Sequence, residues 1–478
     1  MTDLNLSLDR RTLLAGAPLA AAGAMLPHPA LAAAPKSRSL PRWFDDLEHR
    51  TFRYFWDLAS RRNGLVPDRW PTPSFASIAA VGFALTAYPI GVERGWIQRH
   101  EARDLTLTTL RFFASAPQGD APAGTSGHKG FFYHFLDMET GHRFRDTELS
   151  SVDTTLLFLG ILFAGAWYDR ADPVEAEIRM LAERITDRAD WPWFTNDRST
   201  VSMGWHPGRG FIERAWDGYN EGMMVYVVGL GARGKPLADG AWDAWAKTYP
   251  AFWRGSGPTR HLAFAPLFGH QYSQMWIDFR GIRDATMRQA GFDYFENSRR
   301  ATYANRAYCI ANPMQWDGYS RDIWGLTACD GPANVERMFK GTTRTFYGYA
   351  ARGPLGQPDE RDDGTLAPTA ALGSLAFAPE IAVPAGAAMR RWPGLYGRYG
   401  FLDSFNPSFR YEDVKIETGS IDARHGWVAR NYLGIDQGAI SGAIANHRND
   451  FVWQTMRRSP AIRRGLERAG FTGGWLAG

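Results

Sequence analysis

Stretches that are apolar on every side alternate along this chain with stretches that are apolar on one side only. Residues 74–88, 150–167, 220–230 and 369–377 consist largely of Ala, Ile, Val, Leu, Gly, Met and Phe, and a further such run opens at Gly434-Ile435-Asp436-Gln437-Gly438. Between them, residues 41–60, 95–114, 173–188, 240–249, 379–392 and 452–468 place apolar side chains at helical spacing, with charges between. A helix apolar all round must lie inside, and an amphipathic one lies across its outer side. About a dozen helices in that alternation predict an all-α domain, an (α/α)6 toroid in which each helical hairpin buries its apolar member at the centre. Pro89 should stop the first inner helix, and Asp172-Pro173 reads as an N-cap followed by Pro at the first helical position. Residues 284–307 read as one long helix, and 259–276 as an aromatic, irregular segment. Strand signals are few and lie in loops around the cleft. Residues 131–136 read as a strand, 137–141 as a turn and 142–145 as the return strand, with a short strand at 343–350 and a loop at 401–409. No repeat of 20–50 residues and no Pro/Ser linker is visible, so residues 35–478 read as one domain.

The bulk numbers narrow the function class. With 45% hydrophobic and 22% charged residues, the 478-residue chain is not of the disordered class. Its net charge of +4 comes from interspersed acids and bases without a basic tract, so no nucleic-acid partner is expected. Arg10-Arg11-Thr12-Leu13-Leu14, followed by small and apolar residues to Ala34, reads as a twin-arginine signal peptide over residues 1–34, with Ala30-Leu31-Ala32 as a small-x-small cleavage site. No later segment has the roughly 18 consecutive apolar residues of a membrane span. The mature protein is therefore expected in the periplasm or beyond, without stable membrane insertion and as a monomer. Two cysteines, Cys309 and Cys329, could form a disulfide there or remain as two buried thiols. No Cys/His spacing suggests zinc, and neither metal nor cofactor is expected.

Chemistry concentrates in 204–221, where Trp205, His206, Arg209, Arg214, Trp216, Tyr219 and three carboxylates share a Gly-rich loop. Aromatic faces beside carboxylates suit a sugar, since the faces stack on C–H surfaces and the acids move protons. Four acids stand at loop-to-helix junctions: Glu148, Asp153, Glu221 and Asp436. Glu221, among Trp216 and Tyr219, is placed to be desolvated and to donate a proton; the competing reading is an acid favoured by the helix dipole. Asp153 stands three residues after Ser150, as in a capping box, so a cap competes with chemistry there. Asp436 lies between Gly434 and Gly438, which permit either close ligand approach or tight helix packing. The substrate-contacting candidates near 221 are Trp216, Tyr219, Arg214 and His134. Further along they are Trp276, Trp316, Trp324, Asp330 and Trp427. No Gly-x-Ser-x-Gly elbow or phosphate loop is present. A lyase using Tyr or His with Arg, and a non-catalytic glycan-binding protein, remain alternatives.

Several ordered motifs carry a resemblance. These are Gly130-Phe131-Phe132-Tyr133-His134-Phe135-Leu136-Asp137, Glu148-Leu149-Ser150-Ser151-Val152-Asp153-Thr154 and Trp216-Asp217-Gly218-Tyr219-Asn220-Glu221. Trp324-Gly325-Leu326-Thr327-Ala328-Cys329-Asp330-Gly331-Pro332, Asp363-Gly364-Thr365-Leu366-Ala367-Pro368-Thr369 and 434–438 complete the set. Over about Trp43 to Trp453 the chain resembles the bacterial glucoamylase-like domain family, exemplified by the endo-β-1,2-glucanases of glycoside hydrolase family 144. The resemblance implies an (α/α)6 toroid, no metal requirement, and inverting hydrolysis of β-1,2-glucan to sophorooligosaccharides. It implies Glu221 as general acid, Glu148 and Asp153 as acids near the cleft, and Asp436 in the segment of a candidate base. Related domains transfer the same linkage or act from chain ends. Cys329 and Ala439 depart from the Ser and Pro that the family's motifs would have at those positions.

Overall fold

The structure, a computed structural model, describes residues 39–357 and 360–477; the twin-arginine segment lies outside them. Six short or medium helices are buried along nearly their whole length: Ile78–Glu93, Ser151–Trp167, Gly222–Gly231, Phe268–Trp276, Pro368–Leu372 and Gly434–Asn449. Their contacts run from one to the next. Ile78–Glu93 packs on Ser151–Trp167, which packs on Gly222–Gly231; that helix touches Phe268–Trp276, which touches Gly434–Asn449, which returns to Ile78–Glu93. Pro368–Leu372 also packs on Gly434–Asn449. Amphipathic helices cover them from outside, among them Trp43–Leu58, Pro173–Asp187, Tyr294–Ala311, Pro379–Met389 and Pro460–Arg468. The first two inner helices meet backbone to backbone: a Cβ on Gly160 would stand 2.1 Å from the Gly82 carbonyl oxygen, so no larger residue fits that crossing.

Strands are two to five residues long and form two- or three-stranded sheets, with no closed β-barrel among the described residues. Their use is to tie the starts of the inner helices together. Gly434 N–H donates to the Asp68 carbonyl, Asp68 N–H to Phe75, and Ser77 N–H to Val66. Ser77 caps the helix from Ile78, whose N–H reaches the His134 carbonyl; His134 N–H reaches Glu148, and Ser150 caps the helix from Ser151. Trp216 Nε1 then donates to Ser151 Oγ (2.8 Å) just before the helix from Gly222. Phe268 N–H reaches Thr327 Oγ1 and Ala367 N–H reaches the Gly325 carbonyl. One rim therefore carries linked first turns.

The structure departs from the sequence reading in local places. Pro89 does not end its helix, which continues to Glu93; a proline removes one hydrogen bond and a well-packed helix bridges the gap. Segment 259–276 contains an inner helix, Phe268–Trp276, hidden by polar residues whose amides bond to neighbouring elements. Gln271 Nε2 donates to the Ala370 carbonyl and Ser374 Oγ (both 2.8 Å), and Gln274 Nε2 to the Tyr294 carbonyl (2.8 Å). The long helix of 284–307 is two, Ala285–Ala290 and Tyr294–Ala311, because Gly291 (φ 84°) ends the first and Asp293 caps the second. The strand at 131–136 splits into Phe131–Phe132 and Phe135–Leu136, which pair with Gly127–His128 and Ala76–Ser77; the expected return pairing survives as one bridge, Leu136 to Arg143. The strand expected at 343–350 is Thr342–Phe346, the second arm of a hairpin with Val335–Phe339, while Ala350 starts a separate strand paired with Ala328–Cys329. Within 401–409 the strand Phe405–Asn406 pairs with Gly426–Val428. Cys309 and Cys329 are free, buried thiols.

Candidate functional site

Two groups of buried acids stand on the linked rim. In the first, Ser150 Oγ accepts the Asp153 N–H (3.1 Å) and donates to Asp153 Oδ2 (2.6 Å), so the expected cap is present. The other carboxylate oxygen faces elsewhere: Asp153 Oδ1 lies 3.3 Å from His134 Nε2, while His134 Nδ1 lies 3.0 Å from Glu148 Oε1. One imidazole thus bridges two carboxylates through its two nitrogens. These three side chains form the group that could supply metal donors among the described residues. The ring is hydrogen-bonded to Glu148 through Nδ1 and stands in close electrostatic contact with Asp153 through Nε2, so it spaces the two carboxylates. Leu149 pairs with Trp205, whose half-buried indole stacks on His128 at 4.9 Å. Arg143 and Arg209 contact Asp146 and His206 at the outer edge.

Glu221 stands at the start of the helix Gly222–Gly231 and is 8% exposed. Its carboxyl makes no capping bond; Asn220 Oδ1 takes that part by accepting the Gly222 N–H (2.9 Å). The competing structural explanation for a glutamate here is therefore filled by its neighbour. Ser273 Oγ holds the Glu221 carbonyl (3.2 Å), which ties the residue to the next inner helix.

The second group surrounds Asp436, in the first turn of Gly434–Asn449. Strand Arg69–Trp70 pairs with Tyr432–Leu433, so Arg69 faces Leu433. The Arg69 guanidinium bonds Asp68 (3.0 Å) and Asp330 (2.9 Å), and these two acids hold it firmly charged against the cost of burial. Asp330 N–H donates to Asp403 Oδ2 (2.7 Å), and the Asp436 carboxyl lies within hydrogen-bonding reach of Asp403. Burial first, then the Asp330 carboxylate, pushes the Asp403 carboxyl up to about 7. Beneath this group Arg352 and Asp363, both fully buried, form a two-pronged ion pair (2.7 and 2.9 Å). Arg352 also donates to the carbonyls of Cys329, Ala350, Tyr347 and Gly348, fixing the loop that carries Asp330.

Of the residues expected at the site, Glu148, Asp153 and His134 come together, as do Asp330 and Asp436; Trp216 joins the first group through Ser151. Arg214 is half-buried, on the strip whose backbone meets Met203. Tyr219 is fully buried beside His270 and Tyr294. Trp276 is fully buried with its Nε1 on Thr86 (2.9 Å), Trp427 likewise with its Nε1 on the Thr418 carbonyl (2.7 Å), and Trp316 and Trp324 lie in the core with Leu366 and Phe346. Sequence reading missed Asp403, which looked like one polar residue in an aromatic loop, and Arg69. An acid between Leu402 and Phe405 was the available signal.

The chain is a helix-rich fold whose buried acids gather at the starts of its inner helices, and comparison with known proteins specifies the family. The profile of the family described as putative glucoamylase matches residues 213–460, just over half of the chain, and the chain belongs to that family. It is 26% identical over 458 residues to an exo beta-1,2-glucooligosaccharide sophorohydrolase (non-reducing end) of Parabacteroides distasonis, across 89% of this chain. The chain spans 57% of that curated relative's length. Among solved structures, a putative glucoamylase from Bacteroides uniformis superposes with TM-score 0.75 at 29% identity, over 90% of this chain and 97% of that one. The endo-beta-1,2-glucanase of Chitinophaga pinensis, in complex with sophorotriose and glucose, shares the fold with TM-score 0.75 at 24% identity, over 91% and 98%.

Proposed function

We propose that this chain is a glycoside hydrolase that cleaves β-1,2-linked glucan to sophorooligosaccharides on an (α/α)6 toroid, with inversion at the anomeric carbon. The gathering of Glu148, Asp153, Glu221, Asp330 and Asp436 on one rim of linked helix starts carries the reading. A glycosidic bond is broken by one acid that protonates the leaving oxygen and one carboxylate that activates water. Glu221 is the acid in this scheme: it is buried, faces no capping duty and sits beside Trp216. Asp436, at a helix start whose dipole favours negative charge, is the base. Glu148, Asp153 and His134 form a rigid wall for sugar hydroxyls. The names of the relatives supply the linkage. The twin-arginine pair at Arg10-Arg11 supports reading the mature protein as an exported, periplasmic monomer. No helix among the described residues is long and apolar enough to cross a membrane.

The exo-acting relative favours a second reading, in which sophorose is released from a chain end. A reducing-end assay on linear β-1,2-glucan, with products separated by length over time, decides between them. A ladder of short oligosaccharides supports the endo-hydrolase, and sophorose alone the exo-enzyme. Redistribution of length without new reducing ends shows transfer, and no change on this glucan sinks the substrate assignment.

A further inference from the structure

His206 stands on the same rim, and the acid scheme above does not use it. Strand Gly204–His206 pairs antiparallel with Leu149–Ser150, with Leu149 opposite Trp205 and Ser150 opposite Gly204. One further residue along that register brings His206 level with Glu148, on the face away from Leu149 and Trp205. The Glu148 carboxylate is among the charges that act on the ring. Two guanidinia stand at its other side: Arg209 Nη2 lies 2.8 Å and Arg143 Nη2 3.2 Å from His206 Nδ1. Asp146 holds both of them. Its Oδ1 takes Arg143 Nη2 (3.0 Å) and its Oδ2 takes Arg209 Nη2, while Oδ1 stays 3.9 Å from His206 Nδ1, too far for a hydrogen bond. Arg143 is itself fixed, with its side chain 3% exposed, its Nε on the Thr147 carbonyl (2.6 Å) and its guanidinium over the Tyr133 ring. Arg209 is turned back onto the ring by the hairpin between Gly204–His206 and Gly210–Phe211, whose turn contains Gly208 at φ 73°.

A guanidinium donates hydrogen bonds and accepts none. The nitrogen that faces two of them is therefore the accepting one, and the ring proton sits on Nε2. Nε2 meets no partner among the described residues, and the side chain keeps 18% of its surface exposed. We propose that Arg143 and Arg209 hold His206 as the neutral Nε2–H tautomer, and that this open N–H is a specificity-determining donor to a glucan hydroxyl oxygen beside Glu148. The proposal rests on the reading of the chain as a β-1,2-glucan hydrolase. Burial first, then the Arg209 charge, holds the ring below the ordinary imidazole range, which agrees with a neutral ring. His134, on the other side of Glu148, is taken up between two carboxylates, whereas His206 is open. Ionised Glu148 and Asp153 offer a sugar acceptors only, and His206 adds the donor that this wall lacks. A hydroxyl both donates and accepts, so a carboxylate oxygen and an N–H side by side can hold one hydroxyl or two neighbouring ones.

Nitrogen NMR of protein labelled with 15N-histidine reads the ring without reference to turnover, and the His206 signals are those lost in His206→Gln. At about pH 6.5, where an ordinary histidine is half charged, His206 should show one bare and one protonated nitrogen, with the proton on Nε2. Kinetics on linear β-1,2-glucan read the sugar contact. His206→Phe should raise KM about tenfold with kcat within about threefold of wild type, the pattern of lost substrate binding. His206→Ala, which asks less of the packing, should do the same. His206→Gln should return KM to within about threefold, because its amide keeps an N–H near the Nε2 position and an oxygen for the arginines. A proton on Nδ1, or a charged ring at that pH, overturns the arginine-held tautomer. A proton on Nε2 with KM within about twofold of wild type in both folded variants overturns the sugar contact, as does a loss carried by kcat alone. Were the chain to cleave no β-1,2-glucan, the glycan reading would fail while the ring signals still decided the tautomer, so the two fail separately.

Discussion

At the scale of single residues, the site separates acids that hold structure from acids left for chemistry. Asp153 does both: one oxygen bonds Ser150, which caps the helix, and the other faces His134. The Glu221 carboxyl does not cap its helix, where Asn220 Oδ1 accepts the Gly222 N–H. Glu221→Gln should therefore lower sugar release by about a thousandfold or more, with thermal stability within about 1 kcal/mol of wild type; activity near wild type would remove it as the acid. His134→Ala should act differently. It leaves Glu148 and Asp153 without their shared spacer, costs about 1–3 kcal/mol and lowers turnover by about tenfold to a hundredfold. Circular dichroism melting beside the glucan assay reads both effects. Glu221 and Asp436 were legible in the sequence because each opens an apolar run. Asp403 was not, since its partners Arg69, Asp330 and Asp436 stand 334, 73 and 33 positions away and only the fold brings them together.

At the scale of elements, the short strands and loops set the precision of the rim. The Arg352–Asp363 pair is the pin of the loop that ends in Asp330: it is fully buried and takes four carbonyl oxygens besides its carboxylate. Asp363→Asn removes the charge that offsets a buried guanidinium. It should cost about 3–5 kcal/mol, the usual penalty for orphaning one half of a buried pair, measured by urea unfolding. A change within about 0.5 kcal/mol would show that water reaches Arg352. Helix alternation was legible from periodicity, which reports one face of one element. Pairings such as Ala76–Ser77 with Phe135–Leu136 were not, because two-residue strands carry no period and their partners lie far along the chain. The inner helix Phe268–Trp276 was hidden for a related reason: its buried glutamines read as surface until their acceptors on neighbouring helices are known.

At the scale of the whole molecule, the acids make stability depend on pH. A carboxyl raised to about 7 in the folded protein, from an ordinary value of 3.8, contributes stability that is fully present below about pH 4 and is lost as pH rises through about 7. Wild type should lose on the order of 2–4 kcal/mol across that window from Asp403 alone. Asp403→Asn, which never ionises, should lack this loss, so its melting temperature should gain on wild type as pH rises from about 4 to about 7 and hold a constant lead above that. Parallel melting curves for the two proteins over that range would place the titration elsewhere.

The two free cysteines report on this architecture. Cys329 sits within 3.5 Å of Arg352 and directly before Asp330, whereas Cys309 lies on the outer helix Tyr294–Ala311 packed with Trp316 and Trp324, and burial keeps both thiols neutral and out of reach. An alkylating reagent can meet either one only when the chain around it opens. Each thiol is thus a clock for its own neighbourhood. If Cys329 is modified faster than Cys309, the acid-bearing rim breathes while the helical body stays closed; equal rates mean that the molecule opens as one piece.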